Sequence, residues 1–355
     1  MKYTGLLYGI CLGFLFMACK PDFDLNAPYK DVTVVYGILN YQDSIHYVKI
    51  YKGFQSHKQG GVYIDAQNKD SIYYYDQIDV VLEEYNNDRR TSRSDIKLGY
   101  THDFDRDTTG YFYSGEAKIL YYTSEALSKD YSYKIKIKNK LTGKITEGIT
   151  PMVGDFRITD PGQQLDITRI NGNLAFTPAP NASDSCYEFH VSFCYFEVDN
   201  ETKKVTTGKI TKNLTTIGEN YSPNNFGDFT KRYPMTFYDD IAKTLTPNSK
   251  VTRYQGSPVG TASQSTCIEF EGWAAGETML NYLLSNKPSS SFVQVNIIYT
   301  NMEVSEGDGL AFGFLSSKVK STTKRVGILP ACEDSLVRGS KTRNLGFRYR
   351  SEYKP

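Results

Sequence analysis

The sequence predicts a mainly β protein: an N-terminal β-sandwich of immunoglobulin-like or transthyretin-like type, followed by a second β-rich domain with two short helices. Three observations predict it. Tyrosine is abundant, with 29 residues beside 19 phenylalanines and a single tryptophan, Trp273, and aromatic and β-branched residues favour strands. Period-two alternation recurs along the chain, and long helical periodicity is absent.

Asp31 to Leu39 (DVTVVYGIL) reads as a strand, Asn40 to Asp43 as a turn and Ser44 to Lys52 as the returning strand, together a hairpin. Gln77 to Tyr85 is a third strand. The clearest alternation is Tyr131 to Lys138, where Tyr131, Tyr133, Ile135 and Ile137 take one face and Ser132, Lys134, Lys136 and Lys138 the other. That is a half-buried strand with a solvated lysine face rather than a nucleic-acid patch. The turn Lys140 to Gly143 sends the chain back through Lys144 to Thr150, and Pro151 to Pro161 reads as the crossing to the second domain.

In the second domain the longest strand is Cys186 to Val198, with Tyr187, Phe189, Val191, Phe193 and Tyr195 on one apolar face. Lys203 to Ile217 holds one or two more strands. Tyr238 to Leu245 and Glu277 to Leu284 carry leucine or isoleucine four apart and are ended by Pro247 and Pro288, as short helices are. Thr266 to Glu271 and Phe292 to Thr300 are strand-like, Gly307 to Gly313 is glycine-rich, and Leu345 to Arg350 alternates apolar and polar residues.

The first nineteen residues have a different character. Lys2 is followed by an apolar run from Leu6 to Met17, then Ala18, Cys19 and the polar stretch Lys20 to Asp24. The run is too short and too abruptly ended for a membrane-spanning helix and reads as a secretory signal. A small residue followed by cysteine resembles the lipobox of bacterial lipoproteins. The resemblance implies cleavage before Cys19, diacylglycerol on its thiol and a further acyl chain (a palmitate-like group) on its amine. Two or three chains anchor a protein stably, since each buried methylene contributes about 0.8 kcal/mol. Cys11 is lost with the signal. The expected organisation is therefore a signal at 1–18, a lipidated tether at 19–29, the sandwich at 30–153 and the second domain at 154–355.

Composition excludes some function classes. Without the signal's single charge, Lys2, the body has 40 basic and 40 acidic residues, so there is no electrostatic case for a nucleic-acid partner. Three segments, VVYGILNYQDSIHYVKIYKGF, YSYKIKIKNKLTGKITEGITPMV and FVQVNIIYTNMEVSEGDGLAFGFLSSK, resemble large uncharacterised β-rich surface lipoproteins of Bacteroidetes, in matching order. Their later motif usually reads closer to YTNI-x-NG-x-G-x-F-x-S-R, from which Met302, Glu303 to Asp308 and Lys318 depart. The resemblance implies the outer membrane as compartment and supplies no activity. In that group, acidic residues just after the cysteine accompany display on the outer surface, and Lys20, Asp22 and Asp24 are similar to that pattern, with Pro21 interrupting it.

No catalytic constellation is readable. Of His46, His57, His102 and His190, none sits in a metalloprotease HExxH, and neither a nucleophile elbow nor a phosphate loop occurs. The adjacent acids Glu83-Glu84 and Asp239-Asp240 read as solvated patches. Asp103, Asp105 and Asp107 lack the glycine and distal glutamate of a calcium loop and read as a polar turn.

Cys186, His190 and Cys194 share one strand face, but four and eight strand residues span about 13 and 27 Å, too far for one metal or for a Cys186–Cys194 disulfide. Four cysteines in an exported protein suggest bridging, among Cys186, Cys194, Cys267 and Cys332. Cys267 is expected on its strand's wet face and Cys332 in a loop after Pro330. The expected function is a non-enzymatic surface module, binding a glycan or an outer-membrane protein, without cofactor or metal. A carbohydrate-active enzyme with paired carboxylates and a purely structural envelope component are the other two classes.

Overall fold

A computed structural model of the chain describes residues 31–53, 72–102, 119–215, 217–219, 221–234, 236–259, 266–286 and 299–354. Cys19, His57, the three aspartates at 103–107 and most of the segment Phe292 to Thr300 lie outside the described residues.

β1 (Val32–Leu39) and β2 (His46–Gly53) form the expected antiparallel hairpin, with Val32 facing Gly53 and Gly37 facing Val48. Then come β3 (Ile78–Asn86), β4 (Arg89–Arg90), β5 (Ile96–Lys97), β6 (Gly99–Thr101) and β7 (Leu120–Thr123). β8 (Ser132–Asn139) keeps its alternation: Tyr133, Ile135 and Ile137 are buried, while Lys134 and Lys136 reach Glu147 on β9 (Ile145–Pro151). Gly143 closes the turn between β8 and β9 at φ +74°, a conformation in which glycine is unstrained.

Further along lie β10 (Ile158–Asp160), β11 (Gln164–Leu165) and β12 (Asn171–Phe176). β13 (Tyr187–Asp199) is 13 residues long, β14 (Val205–Thr215) is one strand, and β15 (Phe229–Pro234) leads to helix α1 (Phe237–Thr244). β16 (Val251–Gln255), β17 (Ile268–Ala275) and helix α2 (Glu277–Ser285) come next. The chain ends through β18 (Met302–Glu306), β19 (Leu310–Lys320), β20 (Lys324–Ile328) and helix α3 (Pro330–Arg338).

The fold is mainly β. One sheet runs β11-β20-β17-β19-β1-β2-β7-β6, with β13 on β17 and β14 and β16 on β13. A second runs β18-β9-β8-β3-β4 with β5 on β3, and a third is β10-β12-β15. Val35, Leu39, Val48 and Ile50 of the first sheet share a core with Val80, Leu82, Ile135 and Ile137 of the second. A separate core joins Phe189, Val191 and Phe193 of β13 to Ile268 and Phe270 of β17, Phe176, Ile241 and Leu336.

β19 belongs to both halves. It pairs in parallel with β1 from Val32↔Leu310 to Leu39↔Ser317, and its last residues pair antiparallel with Trp273 to Ala275. β18 meanwhile adds to β9 in the opposite sheet. The glycine-rich stretch is the passage between the two sheets. A side chain at Gly309 would meet the Asp31 carbonyl at 2.3 Å, and one at Gly313 (φ +86°) the Val35 carbonyl at 1.8 Å.

Two sequence expectations are corrected. Cys332 lies on α3, because Pro330 at the first helical position starts a helix instead of ending one. Cys267 is fully buried in the core rather than on a wet face. The alternating segment Leu345 to Arg350 buries Leu345 and Phe347, and Phe347 bridges to Arg253 before a 3-10 turn at Arg350–Glu352.

Candidate functional site

The face of the first sheet turned away from its core carries a run of tyrosines. Strand alternation sends Val48 and Ile50 inward and leaves Tyr47, Lys49 and Tyr51 outside. Tyr47 stands directly opposite Tyr122 of β7, their ring centroids 6.3 Å apart, and each is 37% exposed. Lys49 Nζ lies 5.2 Å from the Tyr51 ring, and Tyr51 stacks at 6.2 Å on Tyr36 of β1. At the β19 side, α2 lies over the face, and its Tyr282 meets Phe314 at 4.4 Å and Tyr36 at 6.0 Å. Burial, then the neighbouring Tyr36, holds the Tyr51 phenol above its ordinary pKa.

A groove of about 360 Å³ opens beside Trp273, lined among others by Ile38, Met279, Leu283, Cys186, His190 and Lys318. The Trp273 ring has the His190 ring at 4.6 Å and Lys320 Nζ at 5.2 Å. His190 Nε2 lies 2.8 Å from Glu188 Oε1, and Lys320 is paired with Glu271 at 2.6 Å. Burial pushes the Cys186 thiol up to about 11, so it is no nucleophile near neutral pH.

A third concavity, about 530 Å³, contains Glu269 between Lys209 and Arg325, the latter at 3.0 Å. Burial opposes the Glu269 charge, but the hydrogen bond and charge of Lys209 and the charge of Arg325 outweigh it and hold the carboxyl below its usual range. Cys194 lines the same cleft, its thiol raised to about 12 by burial.

Of the two acid pairs, Glu83-Glu84 is not a solvated patch, whereas Asp239-Asp240 lies partly exposed at the surface. Glu83 and Glu84 are both buried, pointing to opposite faces of β3. Glu84 accepts from Tyr133 Oη (2.9 Å), Thr91 Oγ1 (3.0 Å) and Arg93 (3.1 Å), while Glu83 accepts from Tyr85 Oη at 3.0 Å. Asp239 pairs with Lys341 and Asp240 with Lys212. His46 lies buried at the start of β2, and burial lowers its pKa. His102 sits against Tyr100 at 5.6 Å. Among the described residues no cluster of three histidine, cysteine or acidic side chains could hold a metal ion, and no helix is long and apolar enough to cross a membrane.

No family model matches the chain, and no curated protein matches it. Among solved structures, the crystal structure of CBD12 from CALX1.2 aligns at 9% identity over 82% of this chain and 99% of that one, with a TM-score of 0.13. At that score the likeness carries no argument about fold or function.

The tyrosine face was legible only in part. Tyr47 lies in a strand the sequence predicts, but the short strand of Tyr122 is not among those read from the sequence, and their juxtaposition depends on the β2–β7 pairing, which joins residues more than seventy positions apart.

Proposed function

We propose that this chain is an outer-membrane lipoprotein, acylated at Cys19 and displayed at the cell surface, that works as a non-enzymatic binding module. Its ligand is a glycan stacked on Tyr47 and Tyr122. The observation that carries the reading is this exposed cross-strand tyrosine pair, with Lys49 beside it on an open sheet face. Aromatic faces stack on the apolar faces of sugar rings, and hydroxyls and an ammonium group supply hydrogen bonds around them. The apolar run ending in Ala18-Cys19 supports the anchor, and the resemblance to uncharacterised Bacteroidetes lipoproteins supports the compartment.

The two layers around the N-terminal core support a sandwich of immunoglobulin-like or transthyretin-like type. Paired-carboxylate hydrolysis needs two acids facing each other about 5 to 9.5 Å apart. Glu83 and Glu84 point apart and are taken up in hydrogen bonds, which favours binding over hydrolysis.

The test is calorimetry of the chain from residue 20 onward against a panel of bacterial and host polysaccharides. A Tyr47→Ala/Tyr122→Ala variant is expected to lose about tenfold in affinity, since each ring contact contributes about 0.5–1.5 kcal/mol, whereas the paired Tyr→Phe variant keeps most of it. If no polysaccharide binds, or if the double alanine variant binds as wild type does, the glycan reading is overturned and a protein partner takes its place.

A further inference from the structure

We infer that the end of the first sandwich at which β1 begins rests on the lipid bilayer, with Leu141 and Leu310 as its contacts. The inference depends on acylation at Cys19. It adds an orientation and a second, non-covalent membrane contact.

The point where β1 leaves the tether is held firmly. The Asp31 carbonyl accepts from the Leu310 amide (2.9 Å) and from Lys144 Nζ (2.9 Å). Its carboxylate accepts from Asn139 Nδ2 and Tyr74 Oη, each at 3.2 Å, and pairs with Lys144, whose side chain is 1% exposed. The start of β1, the β8–β9 turn and the β18–β19 passage are therefore one rigid corner.

Leu141 projects from that corner. Its turn is held by Asn139, whose Oδ1 accepts from the Leu141 and Thr142 amides and whose carbonyl accepts from Gly143. Leu141 is 75% exposed, and Leu310, next to Asp31, is 43% exposed. An isolated surface leucine is ordinary; these two flank the root of the anchor.

From Cys19 to Lys30 the tether has 12 residues. A chain of that length cannot span more than about 43 Å. The corner is thus confined close to the headgroups, at the millimolar effective concentration that makes a weak contact count. The charges of this end, Lys138 and Lys140 against Asp79, Glu306 and Asp308, nearly balance, and Lys140 is paired with Asp79 at 3.0 Å. The contact is therefore apolar and does not require anionic lipid. β19 leads away from the corner, and its 11 residues carry the second body about 36 Å outward.

The experiment uses the full acylated protein in phosphatidylcholine vesicles, with and without brominated phosphatidylcholine. Leu141→Trp places an indole at the corner, and Ile170→Trp places one at an exposed position (80%) on the second body; native Trp273 gives the baseline. Brominated chains are expected to quench the added emission of Leu141→Trp about twofold, the depth of an interfacial side chain, and to leave Ile170→Trp unchanged. Flotation and mass spectrometry of the N-terminus report the anchor separately. An unacylated protein that fails to float overturns anchor and orientation together. An acylated, floating protein whose Leu141→Trp emission is no more quenched than that of Ile170→Trp overturns the orientation alone.

Discussion

Cys194 donates its backbone N–H to the carbonyl of Cys267 at 2.7 Å, at the point where β13 exchanges β17 for β16. This one-way hydrogen bond continues the ladder one step past Phe193↔Ile268, and facing residues of an antiparallel ladder hold their α-carbons about 4.5–5.5 Å apart, within the range a disulfide spans. All four described cysteines are thiols here. Cys186 lies at the other end of the ladder, bonded to Ala275, so it cannot reach Cys267. We predict that oxidation with a disulfide reagent joins Cys194 to Cys267 and leaves Cys186 reduced. The closed loop spans 73 residues (267 − 194), which would add about 4 kcal/mol in the loop-entropy model. Non-reducing peptide mapping decides it: a Cys186–Cys267 bridge would show that the strand register is wrong.

Reduced Cys186 also makes stability depend on pH. Its thiol titrates near 11 in the fold, raised chiefly by burial, against 9.0 unfolded. The folded state then holds its proton longer than the unfolded chain. Stability is fully present below pH 9 and is lost as pH rises toward 11. Urea titrations under reductant at pH 8 and pH 10 should differ by about 1 kcal/mol more in wild type than in Cys186→Ala. Equal differences would remove this thiol from the account.

Glu84 is predicted to be structural. Glu84→Ala leaves the buried Tyr133 hydroxyl without its acceptor and removes one of the carboxylates paired with Arg93, and should cost about 3 kcal/mol. Glu83→Ala should cost less, because its ionic partner Arg90 is half exposed at 3.7 Å. Chemical denaturation of both variants tests the order, and a reversed order would contradict the network.

Gly313→Ala should be among the most damaging single changes. Its added carbon would sit 1.8 Å from the Val35 carbonyl, at a φ of +86°. The parallel ladder between β1 and β19 would have to open, at a cost of about 4 kcal/mol or more. Thermal unfolding against Gly143→Ala, where nothing lies within 4 Å of the added carbon, separates packing from backbone strain.

Local elements were legible because their signals are local. The alternation from Tyr131 to Lys138 and the long apolar face of Tyr187 to Phe193 each specify a strand and its buried side. The partnership of β1 with β19 was not, since Val32 and Leu310 are 278 positions apart and neither strand's pattern names its partner. The burial of Glu83-Glu84 is hidden from the sequence for a related reason: the arginine and tyrosine that hold Glu84 come from a loop and from a neighbouring strand. Pro330 carried both a stop and a start signal, and only the burial of Cys332 and Leu336 against the core selects the helix.

The parallel pairing of β1 with β19 has a mechanical consequence. On the proposed anchoring at Cys19, the membrane would pull β1 from its Asp31 end, while drag on the second body would pull β19 from its Lys320 end. In a parallel pair these are opposite ends, so tension loads the ladder in shear. The rungs from Val32↔Leu310 to Leu39↔Ser317 must then fail together rather than one after another. A load between the proposed anchor and the proposed ligand would meet the joint in its most resistant direction.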